Sequence, residues 1–294
     1  FTSFIHPHPP FAPPSPWHKL YRAAQMPPPK LPPHAEDLQL YINKYQNRYK
    51  YRDNGWDLNL VRTMKAFYYA CISFIDFQIG RILEALEETG QLDNTIIIFT
   101  SDHGEHLGDY RCFGKRSMHD SAARIPLLVR YPRQFPAGHK VDTPVSLVDI
   151  YPTILEATGV DERPPHLDGM PFQEIVSSGL STRTVYSQFQ SGPQAVYMLR
   201  SEHYKYIYST PDNREILFHV DIDPEETHDL AGVPQYRRKL EEYRAMLMER
   251  TGLEIPARNH TPPKTPANPD DGLLVQDPPG FRMDGVPPEY LIGI

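Results

Sequence analysis

Cysteine is scarce in this sequence, with two in 294 residues, and long apolar runs are missing. Two cysteines cannot build a disulfide framework, and nothing in the pattern supports a bridge between Cys71 and Cys112. Cys71 falls on the apolar side of a predicted helix, where a buried thiol is expected. Mean hydropathy is -0.53. No apolar stretch approaches the roughly 18 residues that a membrane-spanning helix needs.

An excess of basic residues is also missing. Lysine and arginine number 30 against 37 aspartates and glutamates, so the formal net charge is -7. Without a run of lysine or arginine, the sequence argues against a nucleic-acid partner and against an anionic membrane surface. The 39% hydrophobic content is enough for a substantial core, in one large domain or two smaller ones. The cellular compartment stays open.

The first residues are informative about organisation. The sequence starts at Phe1 without a methionine or a leader, and residues 1–5 are typical of a strand. Because chains rarely begin inside a core strand, we expect a piece of a longer protein. Residues 7–33 are dense in proline, which fixes φ and removes donors, so they predict an irregular segment. Interleaved aromatic residues favour packing on a surface over a disordered linker. The prolines directly follow two histidines at the end of the predicted strand, which favours a substrate-lining loop over a proline-rich binding module.

The next part of the sequence predicts alternating helices and strands. Apolar residues spaced by three and four predict a helix over 59–89 that Gly90 ends. A continuous apolar run at 95–100 predicts a strand buried on both faces, as in a parallel sheet between helix layers. A second strand is predicted at 125–130. A helix follows at 147–158, with Pro152 in its first turn or at a kink.

Beyond about residue 180 the pattern changes to short alternating runs, which predict a small antiparallel sheet. The four predicted strands are 185–189, 196–200, 204–208 and 216–220. An amphipathic helix is predicted at about 234–250. The expected domains are 1–178 (an α/β catalytic part), 179–252 (the small sheet with its helix) and 253–294 (a proline-rich tail).

Polar clusters follow two of the predicted strands. His6 and His8 come after the first strand, and the run from Ser101 to His106 comes after the strand at 95–100. Ligands of open α/β sheets bind at such strand ends. Asp102 and His103 are good divalent-metal ligands, and Gly104 permits a tight turn. The pattern indicates a metal or phosphate-like site. A capping aspartate beside a surface histidine remains the alternative.

A lysine lies in the loop that follows this cluster. Lys115 is flanked by Gly108 and Gly114, and a lysine in that place could hold an anionic oxygen. Most lysines on loops are only solvated, so that reading also stays open.

Several segments, taken in order, resemble the sulfatase family of the alkaline phosphatase-like superfamily. They include a strand that ends in a His-Pro-His-Pro-Pro-Phe turn and a strand that ends in Ser-Asp-His-Gly-Glu. The segments are residues 4–11, 95–105, 114–115, 124–129, 145–154 and 221–226. Each piece alone is weak, but the set is specific and covers residues 1–250. The resemblance implies an alkaline phosphatase-like α/β/α sandwich with its N-terminal part missing, followed by a small antiparallel sheet and helix.

The resemblance also implies roles for single residues. Asp102 and His103 would bind a metal, Lys115 would hold a sulfate oxygen and the leaving oxygen, and His8 would assist departure of the alcohol. The family pattern tolerates other residues at the position of His6. A further group lies near enough to support the site, although structural roles are the alternative for each. Its members are Glu105, His106, His119 and Arg124.

The implied activity is metal-assisted hydrolysis of a sulfate ester, on a small molecule or a sulfated sugar. Family likeness points to Ca²⁺, whereas the nitrogen ligand of His103 suits Mn²⁺ or Zn²⁺ better. Phosphonate monoester or phosphodiester hydrolysis, which related enzymes perform with such transition metals, is the alternative activity. A catalytically inert scaffold half is another reading.

One departure from the family pattern matters for every one of these readings. The family nucleophile is a cysteine or serine in a Cys-x-Pro-x-Arg-like segment, oxidised to formylglycine. Neither the sequence around Cys71 nor that around Cys112 fits this segment. The paired aspartates that complete the metal site are missing too. We therefore expect the nucleophile in a missing N-terminal half.

Overall fold

The computed structural model describes residues 1–50, 56–160, 164–179 and 182–256. Within these ranges the chain has six α-helices and six strands, in an α/β arrangement. The helices are α1 (Tyr41–Lys50), α2 (Leu58–Glu88), α3 (Asp120–Ala123), α4 (Ile150–Thr158), α5 (Phe172–Ser178) and α6 (Arg237–Thr251). The strands are β1 (Ile97–Thr100), β2 (Leu127–Arg130), β3 (Val185–Phe189), β4 (Val196–Arg200), β5 (Tyr204–Ser209) and β6 (Arg214–His219). No helix in the described ranges is long and apolar enough to cross a bilayer.

Helix α2 is the longest element, and its ends follow from local sequence. The Asp57 carboxylate accepts hydrogen bonds from the amides of Asn59 (2.7 Å) and Leu60 (3.2 Å), which caps the first turn. Gly90 follows the helix at φ 66°, a conformation that glycine adopts without strain. The predicted helix is confirmed. Its apolar stripe is only partly buried, because Ile82 is 40% exposed.

The proline-dense segment packs along α2, as the sequence predicts. Aromatic side chains of the segment contact aromatic side chains of the helix. The ring pairs are Phe11 with Tyr68 at 5.5 Å, Trp17 with Phe77 at 5.3 Å and Tyr21 with Tyr69 at 5.8 Å. The prediction of a strand at residues 1–5 is wrong. This stretch pairs with none of the described strands, and the amide of His8 donates to the carbonyl of Ile5 in a turn.

Strands β1 and β2 pair antiparallel, from Ile97 opposite Arg130 to Thr100 opposite Leu127. The predicted parallel arrangement is therefore wrong for these two strands. The segment between β1 and β2 leaves the end of β1 and comes back to the same end of the sheet, because the Gly104 amide donates to the carbonyl of Ala122 at 2.8 Å. A chain that returns at the end it left must run back antiparallel. The predicted burial of both faces is wrong as well, because Leu128 is 65% exposed.

The second sheet has the order β3-β4-β5-β6, with every neighbour antiparallel, so the predicted small sheet is confirmed. Both of its faces are covered. One face packs on residues before and after β1, and the other packs on α6. The first face contributes Val196, Met198, Ile207, Ile216 and Phe218, and the second contributes Tyr197, Leu199, Tyr206, Tyr208 and Leu217. Most of the described core therefore surrounds this sheet.

Two remaining predictions concern α4 and the tail. A short 3₁₀ turn precedes α4, where Ser146 and Asp149 form a capping box, and Pro152 lies in the first turn of the helix. Gly159 ends the helix at φ 69°. The predicted tail at 253–294 falls almost entirely outside the described residues, which stop at residue 256. The boundaries at 178 and 252 remain predictions.

Candidate functional site

The turn at residues 101–104 follows β1 directly and is held by its own backbone. The Ser101 hydroxyl donates to the carbonyl of His103 at 2.8 Å, and the His103 amide donates to the Asp102 carboxylate at 3.0 Å. A Cβ atom on Gly104 would lie 2.2 Å from the carbonyl oxygen of Ser121. Only glycine fits at this position, and it lets the turn rest directly on the backbone of α3.

Asp102 and His103 place two atoms that could bind a metal, a carboxylate oxygen and a ring nitrogen, close to each other. The Nδ1 atom of His103 lies 2.8 Å from the Gly104 carbonyl, which can only accept, so Nδ1 carries the proton. In the neutral ring Nε2 then has a free lone pair, and it lies 3.3 Å from Oδ2 of Asp102. The Asp102 side chain is 81% exposed. Histidine ligands of metals commonly donate their other ring N–H to a carbonyl in this way.

This donor set fits a divalent metal in part. A carboxylate oxygen and an imidazole nitrogen are both suitable ligands for such ions. Among the residues that the structure describes, no group of three or more His, Cys, Asp or Glu side chains is placed to hold a metal ion. Asp102 and His103 are therefore too few, among the described residues, to form such a group by themselves.

Lys115 is brought to the same place by hydrogen bonds of the neighbouring Gly114. The His106 amide donates to the Gly114 carbonyl at 2.9 Å, and the Gly114 amide donates to the Glu105 carboxylate. Burial lowers the pKa of Lys115, and the nearby carboxylates of Asp102 and Glu105 oppose that shift. A half-buried ammonium group therefore lies in the electrostatic field of the 101–104 turn and can attract an anion.

His8 lies in the turn that opens the proline-dense segment. Its Nδ1 atom is 2.7 Å from the Pro9 carbonyl, so Nδ1 donates and Nε2 is left free in the neutral ring. Within the described parts of the chain, no hydrogen bond or ion pair joins His8 to the 101–104 turn or to Lys115. The neighbouring His6 ring packs on Phe74 of α2, with centroids 5.9 Å apart.

Tyr68 of α2 connects these two parts and is absent from the sequence predictions. Its ring packs edge-on against Phe11, which follows the histidine turn. Burial and the adjacent Glu105 carboxylate raise the pKa of Tyr68 to about 12. The phenol thus contacts the opening segment and lies near enough to Glu105, which binds the Lys115 loop, for that carboxylate to influence its pKa. In the sequence it is one of two adjacent tyrosines on an amphipathic helix, so no local signal marks it.

The residues expected near the site have different surroundings. Glu105 binds the Lys115 loop, as described. His106 and His119 are each 1% exposed, and both rings pack against Tyr110 in the core. Neither ring is therefore exposed at the surface that carries Asp102. The Arg124 side chain is 76% exposed and lies 3.6 Å from the carboxylate of Asp120. The surroundings of His106 and His119 therefore fit a structural role in the core.

The two cysteines are free and buried. Burial raises the pKa of the Cys71 thiol and raises that of the Cys112 thiol further. A thiol that stays protonated is a poor nucleophile. Neither cysteine has the surroundings of a reactive one.

Comparisons with known proteins show which proteins the chain is similar to. The sulfatase family model matches residues 1–160, and a model of the C-terminal part of N-sulphoglucosamine sulphohydrolase matches residues 108–252. An arylsulfatase of Clostridium perfringens is 28% identical over 84% of this chain and 52% of its own length. The multifunctional alkaline phosphatase superfamily protein PehA of Trinickia caryophylli is 32% identical over 82% of this chain and 52% of its own length.

A solved structure is similar over the same extent. The phosphonate monoester hydrolase SpPMH of Silicibacter pomeroyi superposes with a TM-score of 0.72 at 29% identity, over 86% of this chain and 55% of that one. The fold is thus alkaline phosphatase-like. The chain spans about half the length of the curated relatives it matches.

Proposed function

The chain belongs to the sulfatase family, and we propose that it is the C-terminal part of a hydrolase that cleaves sulfate esters with a divalent metal. The observation that carries this proposal is the connection of Lys115 to the 101–104 turn through Gly114 and Glu105. It unites two metal-ligand side chains and a cation that can hold an anionic ester oxygen.

The proposed residues have different tasks. Asp102 and His103 would hold the metal, which when bound would polarise the sulfate oxygens. Lys115 would donate hydrogen bonds to a sulfate oxygen and to the oxygen of the leaving alcohol. His8 would hold a proton at Nε2 and donate it to that leaving oxygen, since its Nδ1 is already bonded to Pro9.

The metal is proposed to be Ca²⁺, by likeness to the family. Mn²⁺ or Zn²⁺ is the alternative, because the free Nε2 of His103 supplies nitrogen, which these ions accept more readily than Ca²⁺ does. The same nitrogen ligand, together with the similarity to SpPMH, favours hydrolysis of phosphonate monoesters or phosphodiesters as the second candidate function.

We further propose that a second stretch of polypeptide completes the site and supplies the nucleophile. Both thiols of this chain are buried with raised pKa values. A group of apolar side chains on α2, β1, β2 and α4 is exposed, whereas the strands of such α/β folds are normally covered on both faces. Its members are Phe77, Ile82, Phe99, Leu128, Tyr151 and Ile154.

Binding and turnover by the isolated chain test different parts of this proposal. In the presence of Ca²⁺, which is diamagnetic, inorganic sulfate should shift the NMR signals of residues 114–116, and Lys115→Met should abolish the shift. Lys140→Met, at an exposed lysine beyond β2, is the matched control and should change nothing. Absence of a sulfate response in the unaltered chain would contradict the role of Lys115.

Turnover is measured with an aryl sulfate and an aryl phosphodiester, each with Ca²⁺ or Mn²⁺. We expect none from the chain alone, because its nucleophile is proposed to lie elsewhere. Turnover of either substrate would overturn that part of the proposal, and the preferred substrate would identify the activity. A chain that neither binds sulfate nor turns over an ester would be an inert scaffold.

A further inference from the structure

A buried group of three charged residues connects the C-terminal sheet to α3. Lys205 of β5 is 1% exposed, and its ammonium group contacts the Asp120 carboxylate and lies 2.5 Å from Oε1 of Glu226. The other oxygen of Glu226 accepts the backbone amide of Asp120 at 2.7 Å. Asp120 is the first residue of α3, so the helix start is held by its side chain and by its backbone.

Helix α3 in turn supports the 101–104 turn. The carbonyl of Ala122 accepts the amide of Gly104 at 2.8 Å, and the carbonyl oxygen of Ser121 leaves no room for a Cβ atom on Gly104. The Ser121 hydroxyl also donates to Asp109 at 2.8 Å. A shift of α3 would therefore move the backbone that carries Asp102 and His103.

The charges and the backbone of the group hold it in one arrangement. Burial alone would raise the pKa of Asp120, but the charge and hydrogen bond of Lys205 bring it below its usual value. Burial raises the pKa of Glu226, and Lys205 opposes that shift. Glu226 also adopts φ 54°, which a non-glycine residue keeps only when its surroundings impose it. Buried ionic groups of this kind can fix one geometry even when they add little net stability.

We propose that Lys205, Asp120 and Glu226 form a positioning group that places the 101–104 turn through α3. Lys205 is then a positioning residue of the proposed metal site, although it lies on the C-terminal sheet. The inference rests on the proposed function only for its metal-binding consequence.

The test uses a variant that loosens α3 without removing the cation. Asp120→Asn keeps the shape of the side chain and leaves the Lys205–Glu226 pair in place. We expect the Gly104 amide to exchange with solvent about tenfold faster, the change that corresponds to a hydrogen bond weakened by about 1.4 kcal/mol. Amides of β5 and β6 should keep their exchange rates. Glu226→Gln is the second variant and should act in the same direction.

Glu215→Gln is the matched control. Glu215 is a buried carboxylate of the same sheet, but it pairs with Arg244 of α6 at 2.7 Å. It should speed exchange near α6 and leave Gly104 unchanged. If the folded Asp120 or Glu226 variant keeps the exchange rate of Gly104 within about twofold of the original, or if the control speeds Gly104 equally, the proposal is wrong.

Mn²⁺ supplies a separate measurement. Paramagnetic broadening at His103 should require about tenfold more Mn²⁺ in Asp120→Asn than in the unaltered chain, as expected when the support of a metal ligand is weakened. If the unaltered chain shows no broadening at His103, the proposed metal role fails. The exchange of Gly104 would still decide whether the positioning group exists.

Discussion

The C-terminal sheet and the β1–β2 pair differ in how far they are covered. In the C-terminal sheet, both faces are packed, and Phe218 of β6 is fully buried. In the β1–β2 pair, Phe99 is 38% and Leu128 is 65% exposed. The candidate site follows the less covered sheet. The sheet with the most complete core is therefore not the sheet whose strand end carries the proposed chemistry.

The largest expected effect is on the free energy of unfolding, when one phenylalanine from each sheet is replaced by alanine. Phe218→Ala removes a fully buried ring and should lower the free energy of unfolding by about 3–5 kcal/mol. Phe99→Ala removes a ring that already contacts solvent and should cost about 1 kcal/mol or less. Chemical denaturation of both variants measures the difference. Equal losses would mean that β1 is as well covered as β6.

Acid should destabilise the folded chain through the buried side chain of His106. Burial lowers the pKa of His106 from 6.5 to about 4, with the Asp109 carboxylate opposing the shift. The unfolded chain therefore binds this proton below pH 6.5, while the folded chain resists it down to about pH 4. Stability is present above that window and is lost as pH falls through it, by about 3 kcal/mol for this residue.

His106→Leu tests this origin of acid sensitivity. Both ring nitrogens of His106 have no hydrogen-bond partner in the described structure, so leucine removes no bond and should preserve stability at pH 7. Unfolding curves between pH 4 and 7 should become flatter in the variant. An unchanged pH dependence would assign the acid sensitivity to other groups, such as His119, whose pKa burial also lowers.

Replacement of the exposed Asp102 should affect metal binding and leave the stability of the fold almost unchanged. Asp102→Asn should change the free energy of unfolding by less than about 0.5 kcal/mol, because the side chain is 81% exposed. It should nevertheless raise the Mn²⁺ concentration that broadens His103 by about tenfold, since a carboxylate ligand is lost. A large loss of stability without an effect on Mn²⁺ would assign Asp102 a structural role instead.

Local sequence predicts those elements whose signals are local. Spaced apolar residues and Gly90 mark α2, and alternating apolar residues mark the four strands of the C-terminal sheet. The direction of β2 was predicted wrongly, because it depends on the distant contact between Gly104 and Ala122. Residues 1–5 have strand-forming side chains, but a strand also needs a neighbour to pair with.

The same division applies to the candidate site. Asp102, His103 and Lys115 are close in sequence and belong to recognisable segments, so the sequence suffices to suggest them. Tyr68 and Lys205 reach the site or its support only through tertiary packing. In β5, Lys205 alternates with tyrosines as a solvent-facing lysine would, although it is buried.

The smallest expected effect tests whether the opening segment and the Lys115 loop adjoin, as the position of Tyr68 implies. Glu105→Gln removes a negative charge next to the phenol, and negative neighbours raise the pKa of a tyrosine. The pKa of Tyr68, about 12 in the unaltered chain, should therefore fall, but it should stay above 10 because burial is the larger cause of the shift. Titration of the ring carbon signals by NMR measures the change, and Asp102→Asn is the control, because no influence of Asp102 on Tyr68 is expected. A pKa unmoved by Glu105→Gln would place Tyr68 away from the Lys115 loop, and the less covered region would then lack the contact that joins its two parts.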